Sequence, residues 1–116
     1  MDSVDSMPAS CMLNVHHAHG AATRVPATAT AHAYRNSHLI VQVLGIWTEG
    51  DGESERVWVR DTERRLDAVA LPGGWTNLMA PGDPRARDAY GGNRNRLLAT
   101  KARYDPDNVF TATPLT

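Results

Sequence analysis

Apolar and polar positions are arranged in three ways along this chain, and each arrangement predicts a different element. In residues 38–47, HLIVQVLGIW, apolar side chains fill both alternating sets: Leu39, Val41 and Val43 on one face, Ile40, Leu44 and Ile46 on the other. A β-branched run that is apolar on both faces predicts a central strand, covered on each side. Residues 11–19, CMLNVHHAH, can form a second strand, with Cys11, Leu13, Val15, His17 and His19 on one face and Met12, Asn14 and His16 opposite. Between Glu53 and Ala70 the period lengthens. Trp58, Thr62, Arg65, Leu66 and Val69 recur at helical spacing, Asp61 and Arg65 add an i, i+4 pair, and Asp51 or Ser54 can cap the start. Pro72-Gly73-Gly74 ends that helix. Trp75 to Met79 reads as a short strand, Pro81-Gly82-Asp83-Pro84 as a turn, and Arg85 to Tyr90 as one or two helical turns.

The last third is the most heavily punctuated. Gly91 and Gly92 break the chain, and Asn93 is a good N-cap for a helix beginning at Arg94. Leu97, Leu98, Lys101 and Tyr104 share a face that can pack. Asp105 precedes Pro106 and is pushed out of the helical region, so the helix stops there. Asp-Pro-Asp-Asn then turns the chain towards an apolar anchor, Val109 and Phe110. Helices packed on one face of an antiparallel sheet are the natural solution, which makes the fold class α+β. The expected core comprises Val41, Val43, Leu44, Ile46, Trp58, Leu66, Val69, Leu97, Leu98 and Phe110. Residues 1–9 are small, polar and aperiodic, hence expected to be disordered, leaving 10–116 as the domain.

Composition narrows the function classes. A chain of 116 residues is one domain or part of one, and 41% hydrophobic with 22% charged residues is ordinary for a soluble protein. The net charge of -1 offers nothing to draw a nucleic acid or a membrane surface. No apolar run approaches the roughly 20 residues that span a bilayer. MDSVDSMPAS lacks a basic region and an apolar core, so it is not a secretory signal, and Cys11 alone cannot make an internal disulfide; a cytoplasmic setting is expected. Arg85, Arg87, Arg94, Arg96, Lys101 and Arg103 are concentrated in one stretch, which reads as a solvated helix face rather than a nucleic-acid patch, because only Tyr90 and Tyr104 interleave aromatics. His16, His17 and His19 raise the question of a metal, with Cys11 or His32 as further ligands. No Cys-x-x-Cys or His-Glu-x-x-His spacing supports one, so a structural or solvent-facing histidine strand is expected and no metal.

Tyr90-Gly91-Gly92-Asn93, Arg96-Leu97, Lys101 and the run from Tyr104 to Phe110 together read Tyr-Gly-x-Asn, Arg-Leu, Lys, Tyr-Asp-Pro-x-Asn-x-Phe. That string resembles the C-terminal signature of the berberine-bridge-enzyme family of FAD-linked oxidases. VPATATAHAYR, residues 25–35, resembles the family segment that ends in a strand with an aromatic or His before Arg. The resemblance runs roughly from Ser10 to Thr113 and covers only the C-terminal part of the family's enzymes. It implies an incomplete substrate domain whose sheet covers a flavin and forms a pocket for a small-molecule substrate.

Trp75-Thr76-Asn77-Leu78 occupies the place where the family has Tyr-x-Asn followed by an aromatic. The resemblance makes Asn77 the cofactor-binding residue, beside the flavin ring. The residue after it, when tyrosine, is the family's base, and a leucine cannot take a proton, so no catalytic residue is carried over. A flavin also needs backbone N–H groups around its pyrophosphate. Gly73-Gly74 and Gly91-Gly92 lack phosphate-loop spacing, and Cys11 does not match the family's flavin-linking cysteine. The resulting expectation is a berberine-bridge-like module of an FAD-dependent oxidoreductase, carrying hydride from substrate C–H to flavin, as a fragment or one chain of a split enzyme. FAD would come through an FAD-binding-domain partner, or the module would form a homodimer. The alternative is a non-catalytic ligand-binding or interaction protein derived from that domain.

Overall fold

A computed structural model describes residues 6–79, 82–111 and 115. It contains strands β1 (Cys11–Ala18) and β2 (His38–Gly45) and helices α1 (Glu53–Leu66) and α2 (Arg94–Tyr104). Short 3-10 turns lie at Gly20–Thr23, Thr76–Leu78, Pro84–Asp88 and Gly91–Asn93. The class is α+β. The chain divides into two compact units, Met1–His17 with Leu39–Ala70, and Ala18–His38 with Leu71–Thr116. Among the described residues no helix is long and apolar enough to cross a membrane. Of the stretch read as disordered, residues 1–5 lie outside the described residues, while the Cys11 N–H donates to the Pro8 carbonyl at 2.9 Å.

The first unit is built on the strand pair. β1 and β2 are antiparallel. Their register is marked by Asn14 Nδ2 donating to Gln42 Oε1 at 2.8 Å and the Ile46 N–H donating to the Ser10 carbonyl at 3.1 Å. Among the described residues β2 has no neighbour other than β1, so it is not the covered central strand its sequence predicts. Leu39, Val41 and Ile46 are exposed, the first by 61%. Two apolar faces describe what a strand could bury, not what lies against it.

Helix α1 supplies the enclosed side chains. Trp58 and Thr62, one turn apart, are buried, and Val59 and Leu66 are half-buried. Gly45 lets α1 come close to the end of β2, since a Cβ there would stand 3.0 Å from the Glu55 Cβ. Gly52, at φ 65°, precedes the helix, and Asp51 Oδ1 accepts the Glu53 N–H at 3.1 Å, as the capping expectation allowed. Ser10 and Ser54 hydroxyls donate to Glu55 at 2.6 and 2.8 Å and hold its carboxyl below the usual range. The helix stops at Leu66, and a turn closed by the Val69 N–H on the Leu66 carbonyl leaves Val69 81% exposed. Val69 therefore leaves the expected core because it lies beyond the helix that would have turned it inward.

The second unit is ordered differently. α2 starts and ends where its sequence predicts, but Asn93 does not cap it. Its own backbone is already helical, at φ −87°, because the Gly91–Asn93 turn runs straight into the helix. The buried Asn93 amide instead donates to the carbonyls of Ala27 at 2.6 Å and Thr30 at 3.1 Å. Arg96 adds a bond to the same Thr30 carbonyl, and Arg35 reaches the carbonyls of Ala22 and His32, each at 3.2 Å. Residues 24–37 form neither strand nor helix, so the segment expected to end in a strand is held by side-chain donors instead.

The end of α2 is polar too. Lys101 Nζ bonds the Asp105 carboxylate and the Phe110 carbonyl, and Asp105 accepts the N–H groups of Val109 and Phe110 at 2.7 and 3.1 Å. Tyr104, Val109 and Phe110 are 72%, 71% and 73% exposed, which removes Tyr104 from the packed face and Phe110 from the expected core. The anchor is a lysine and an aspartate, not the apolar pair. Leu97 and Leu98 are half-buried, as are Val43 and Leu44 in the first unit. Among the described residues no side chain is wholly buried.

Candidate functional site

The site is assembled on the Thr76–Leu78 turn of the second unit, a stretch its sequence predicts as strand. Trp75 enters extended, and the Leu78 N–H closes the turn on the Trp75 carbonyl at 2.9 Å. Trp75 and Leu78 stand at the two ends of that turn. Both are exposed, by 44% and 52%, and Asn77 on the same turn is exposed as well. An amide with a donor and an acceptor thus stands beside an open apolar surface.

Two further segments hold this turn, residues 32–34 and the loop at Asp88. The Trp75 ring lies 5.2 Å from the His32 ring, tilted by 50°, and His32 makes an edge contact with Tyr34 at 6.2 Å. The Tyr34 hydroxyl donates to the Asp88 carbonyl at 2.7 Å. Gly73, at φ 79°, permits that same carbonyl to approach, since a Cβ there would stand 2.6 Å from it. Burial, then the Arg35 charge, pushes the His32 imidazole below its ordinary pKa; a hydrogen bond to the Tyr34 backbone opposes this and His38 adds a little. Burial, then the Asp88 charge, pushes the Tyr34 phenol up. At neutral pH the first is an uncharged imidazole and the second an intact phenol.

Asn77 lies on the 3-10 turn and Trp75 enters it, where the sequence predicts a strand, whereas Tyr90, Asn93, Lys101, Tyr104 and Asp105 belong to the helix, its cap-like turn and the loop it fixes. Sequence reasoning missed His32 and Tyr34 at the site. They are the only aromatic residues in an Ala/Thr-rich run, and that contrast is the available signal. His16 and His17 are exposed on β1, as the solvent-facing histidine strand predicts, while His19 is exposed but lies beyond the strand, which ends at Ala18. Among the described residues no group of three or more His, Cys, Asp or Glu could hold a metal ion. Cys11 is buried, and burial followed by the Glu55 charge raises its thiol pKa.

A flavin is met only in part by these residues. The exposed Asn77 amide fits the polar edge of an isoalloxazine ring, and Trp75 with Leu78 fits its apolar surroundings. The pyrophosphate finds no cradle among the described residues. Gly73 is used for the approach of the Asp88 carbonyl, and Gly91 for contact with Ala33, whose Cβ would be 3.2 Å from a Cβ there. In the first unit a shallow groove is lined by Gly45, Trp47, Arg56, Val59 and Arg60, but Arg56 lies over the Trp47 ring and Arg60 pairs with Glu53.

Comparison with known proteins agrees with the residues. Residues 72–114 match the family described as berberine and berberine like. The uncharacterised FAD-linked oxidoreductase YgaK of Bacillus subtilis is 32% identical over 94 residues, which are 78% of this chain and 20% of that protein. YvdP, an uncharacterised FAD-linked oxidoreductase of the same organism, is 29% identical over 92 residues, 78% of this chain and 21% of the relative. Berberine bridge enzyme-like 17 of Arabidopsis thaliana is 28% identical over 116 aligned residues, again 78% and 21%. The chain thus spans about a fifth of the length of these relatives. No solved structure gives a significant match.

Proposed function

We propose that this chain supplies the berberine-like, substrate-side module of an FAD-dependent oxidoreductase, with the Thr76–Leu78 turn facing the flavin ring. The observation that carries this reading is the exposed Asn77 on that turn, inside the segment 72–114 that matches the family. Polypeptide beyond the residues described, in the same protein or in a partner, holds the pyrophosphate. When bound, the flavin accepts hydride from a substrate C–H that bears a hydroxyl or an amine. The chain's own residues position and exclude: Asn77 offers one donor and one acceptor to the ring edge, while Trp75 and Leu78 keep water from it. Leu78 carries no proton-accepting atom, and this single substitution favours the second reading, a module that binds ligand without turning it over.

A chimera tests the first reading. The matched fifth of the Bacillus relative YgaK is replaced by this chain, and flavin absorbance and reduction potential are read. The chimera is expected to retain FAD. Asn77→Ala is expected to lower the potential, because a donor to the electron-rich reduced ring is lost, while the melting temperature stays nearly unchanged. A folded chimera without FAD, or an Asn77→Ala chimera with an unaltered potential, counts against it. Leu78→Tyr separates the two readings: an enzyme module gains rate with an alkaline limb, a binding module gains none.

A further inference from the structure

We propose that the loop after α2 is a preformed anchor, whose Val109 and Phe110 side chains enter an apolar recess on the polypeptide that completes the enzyme. The inference rests on the reading of this chain as one module of a longer oxidoreductase. The loop is fixed from several directions at once. Lys101 and Asp105 pair through side chains only 14% and 11% exposed. Asp105 accepts the Val109 N–H on one oxygen and the Phe110 N–H on the other, and Lys101 Nζ donates to the Phe110 carbonyl. The Asn108 N–H closes a turn on the Asp105 carbonyl at 3.1 Å, and Asn108 itself stands at φ 52°, a left-handed position that suits asparagine. These bonds hold backbone and leave the side chains open. Val109 and Phe110 are 71% and 73% exposed, and Tyr104, which closes α2, is 72% exposed. Large apolar side chains on a backbone already fixed lose little freedom when they are covered, which is what an anchor needs.

Size decides the occupant. Aromatic side chains bury roughly 150–250 Å² each, so Phe110 with Val109 and Tyr104 offers a few hundred Å². A stable free complex needs roughly 800 Å² on each partner, so a second copy of this chain is not held by this surface. A tethered neighbour is, because the tether supplies the effective concentration. The relatives match over only 20% or 21% of their length, which leaves about four-fifths of each as such a neighbour. The loop also lies inside the segment 72–114 that matches the family. The complement is therefore a recess lined by apolar side chains and wide enough for one aromatic ring.

Two measurements on unmutated loops test this. In the isolated chain, the Val109 and Phe110 N–H groups are expected to exchange with deuterium at least about tenfold slower than in an unfolded peptide of the same sequence. Exchange at the peptide's rate overturns a preformed loop. Hydroxyl-radical footprinting is expected to oxidise Phe110 readily in the isolated chain and severalfold more slowly in the chimera with YgaK. Phe110→Ala then sharpens the result: it should move the melting temperature of the isolated chain by no more than about 3 °C, yet lower that of the chimera by more, with Phe110→Leu between. Phe110 as open in the folded chimera as in the isolated chain overturns the anchor, whether or not FAD is held, and the module reading then stands or falls on FAD retention alone. Protection of Phe110 in a folded chimera without FAD supports the anchor while counting against the flavin-facing turn. Protection that grows with concentration of the isolated chain, with a dimer in sedimentation, gives the surface to a second copy and overturns the assignment.

Discussion

The two units of this chain are ordered by different physics. In the first, a strand pair and a helix bring Trp58 and Thr62 inside, and hydrogen bonding is carried largely by regular elements. In the second, residues 24–37 have no ladder or helix of their own, and a buried amide and two guanidiniums take over that work. The site is in the second unit. Loops fixed by side-chain donors can present an amide and two apolar groups outward, whereas a ladder would turn alternate residues away.

Trp58→Ala is expected to have the largest effect, about 3–5 kcal/mol, because it empties the largest buried position among the described residues of the first unit. Hydrogen exchange should then quicken in β1, β2 and α1 while the segment held by Asn93 keeps its protection. Equal loss in both units breaks the comparison. Gly73→Ala comes next. It forces a left-handed alanine, about 1–3 kcal/mol of strain, against the Asp88 carbonyl, and should lower the melting temperature while releasing the Tyr34 hydroxyl.

Asn93 sharpens the comparison further. Asn93→Ala is expected to cost about 1–3 kcal/mol, since the Ala27 and Thr30 carbonyls lose a buried donor. Asn93→Asp is the more telling change. An aspartate is a good N-cap but donates nothing, so a cap would tolerate it, whereas this site would set its charge against carbonyl oxygens. Thermal melts showing Asn93→Asp as stable as the parent would restore the cap.

Asp105 gives a pH signature. Its hydrogen bonds from Lys101, and then those from Val109 and Phe110, hold its carboxyl below the usual range. A depressed carboxylate stabilises the fold fully above its unfolded value of about 3.9, and the contribution is lost as pH falls through the lower folded value. The difference in melting temperature between the parent and Asp105→Asn should therefore hold at neutral pH and shrink only in strong acid. The smallest effect is expected at Val69, outside both systems of contact. Val69→Thr should stay within about 0.5 kcal/mol by denaturant titration.

These contrasts also explain what could be read from the sequence. Both strands and both helices were legible because period and punctuation report local backbone preference. The fate of their faces was not, since Leu39, Val41, Ile46 and Phe110 are apolar yet uncovered. Asn93 has the residue type and place of a cap, and only the three-dimensional position of residues 27–31 shows that its amide is engaged elsewhere. The Thr76–Leu78 stretch reads as strand from its apolar ends and short length, yet Trp75 and Leu78 stand three apart, the repeat of a 3-10 turn and not of an alternating strand. His32 was visible as a residue but not as a neighbour of Trp75, a contact separated by more than forty positions of chain.

That no described side chain is wholly withdrawn from solvent has a calorimetric meaning. The heat-capacity step of unfolding and the denaturant slope both scale with apolar surface newly given to water. Here much of that surface is hydrated before unfolding begins. The chain by itself should give a small heat-capacity step and a shallow denaturant slope, and both should steepen once a partner surface has driven the water from Trp75 and Leu78.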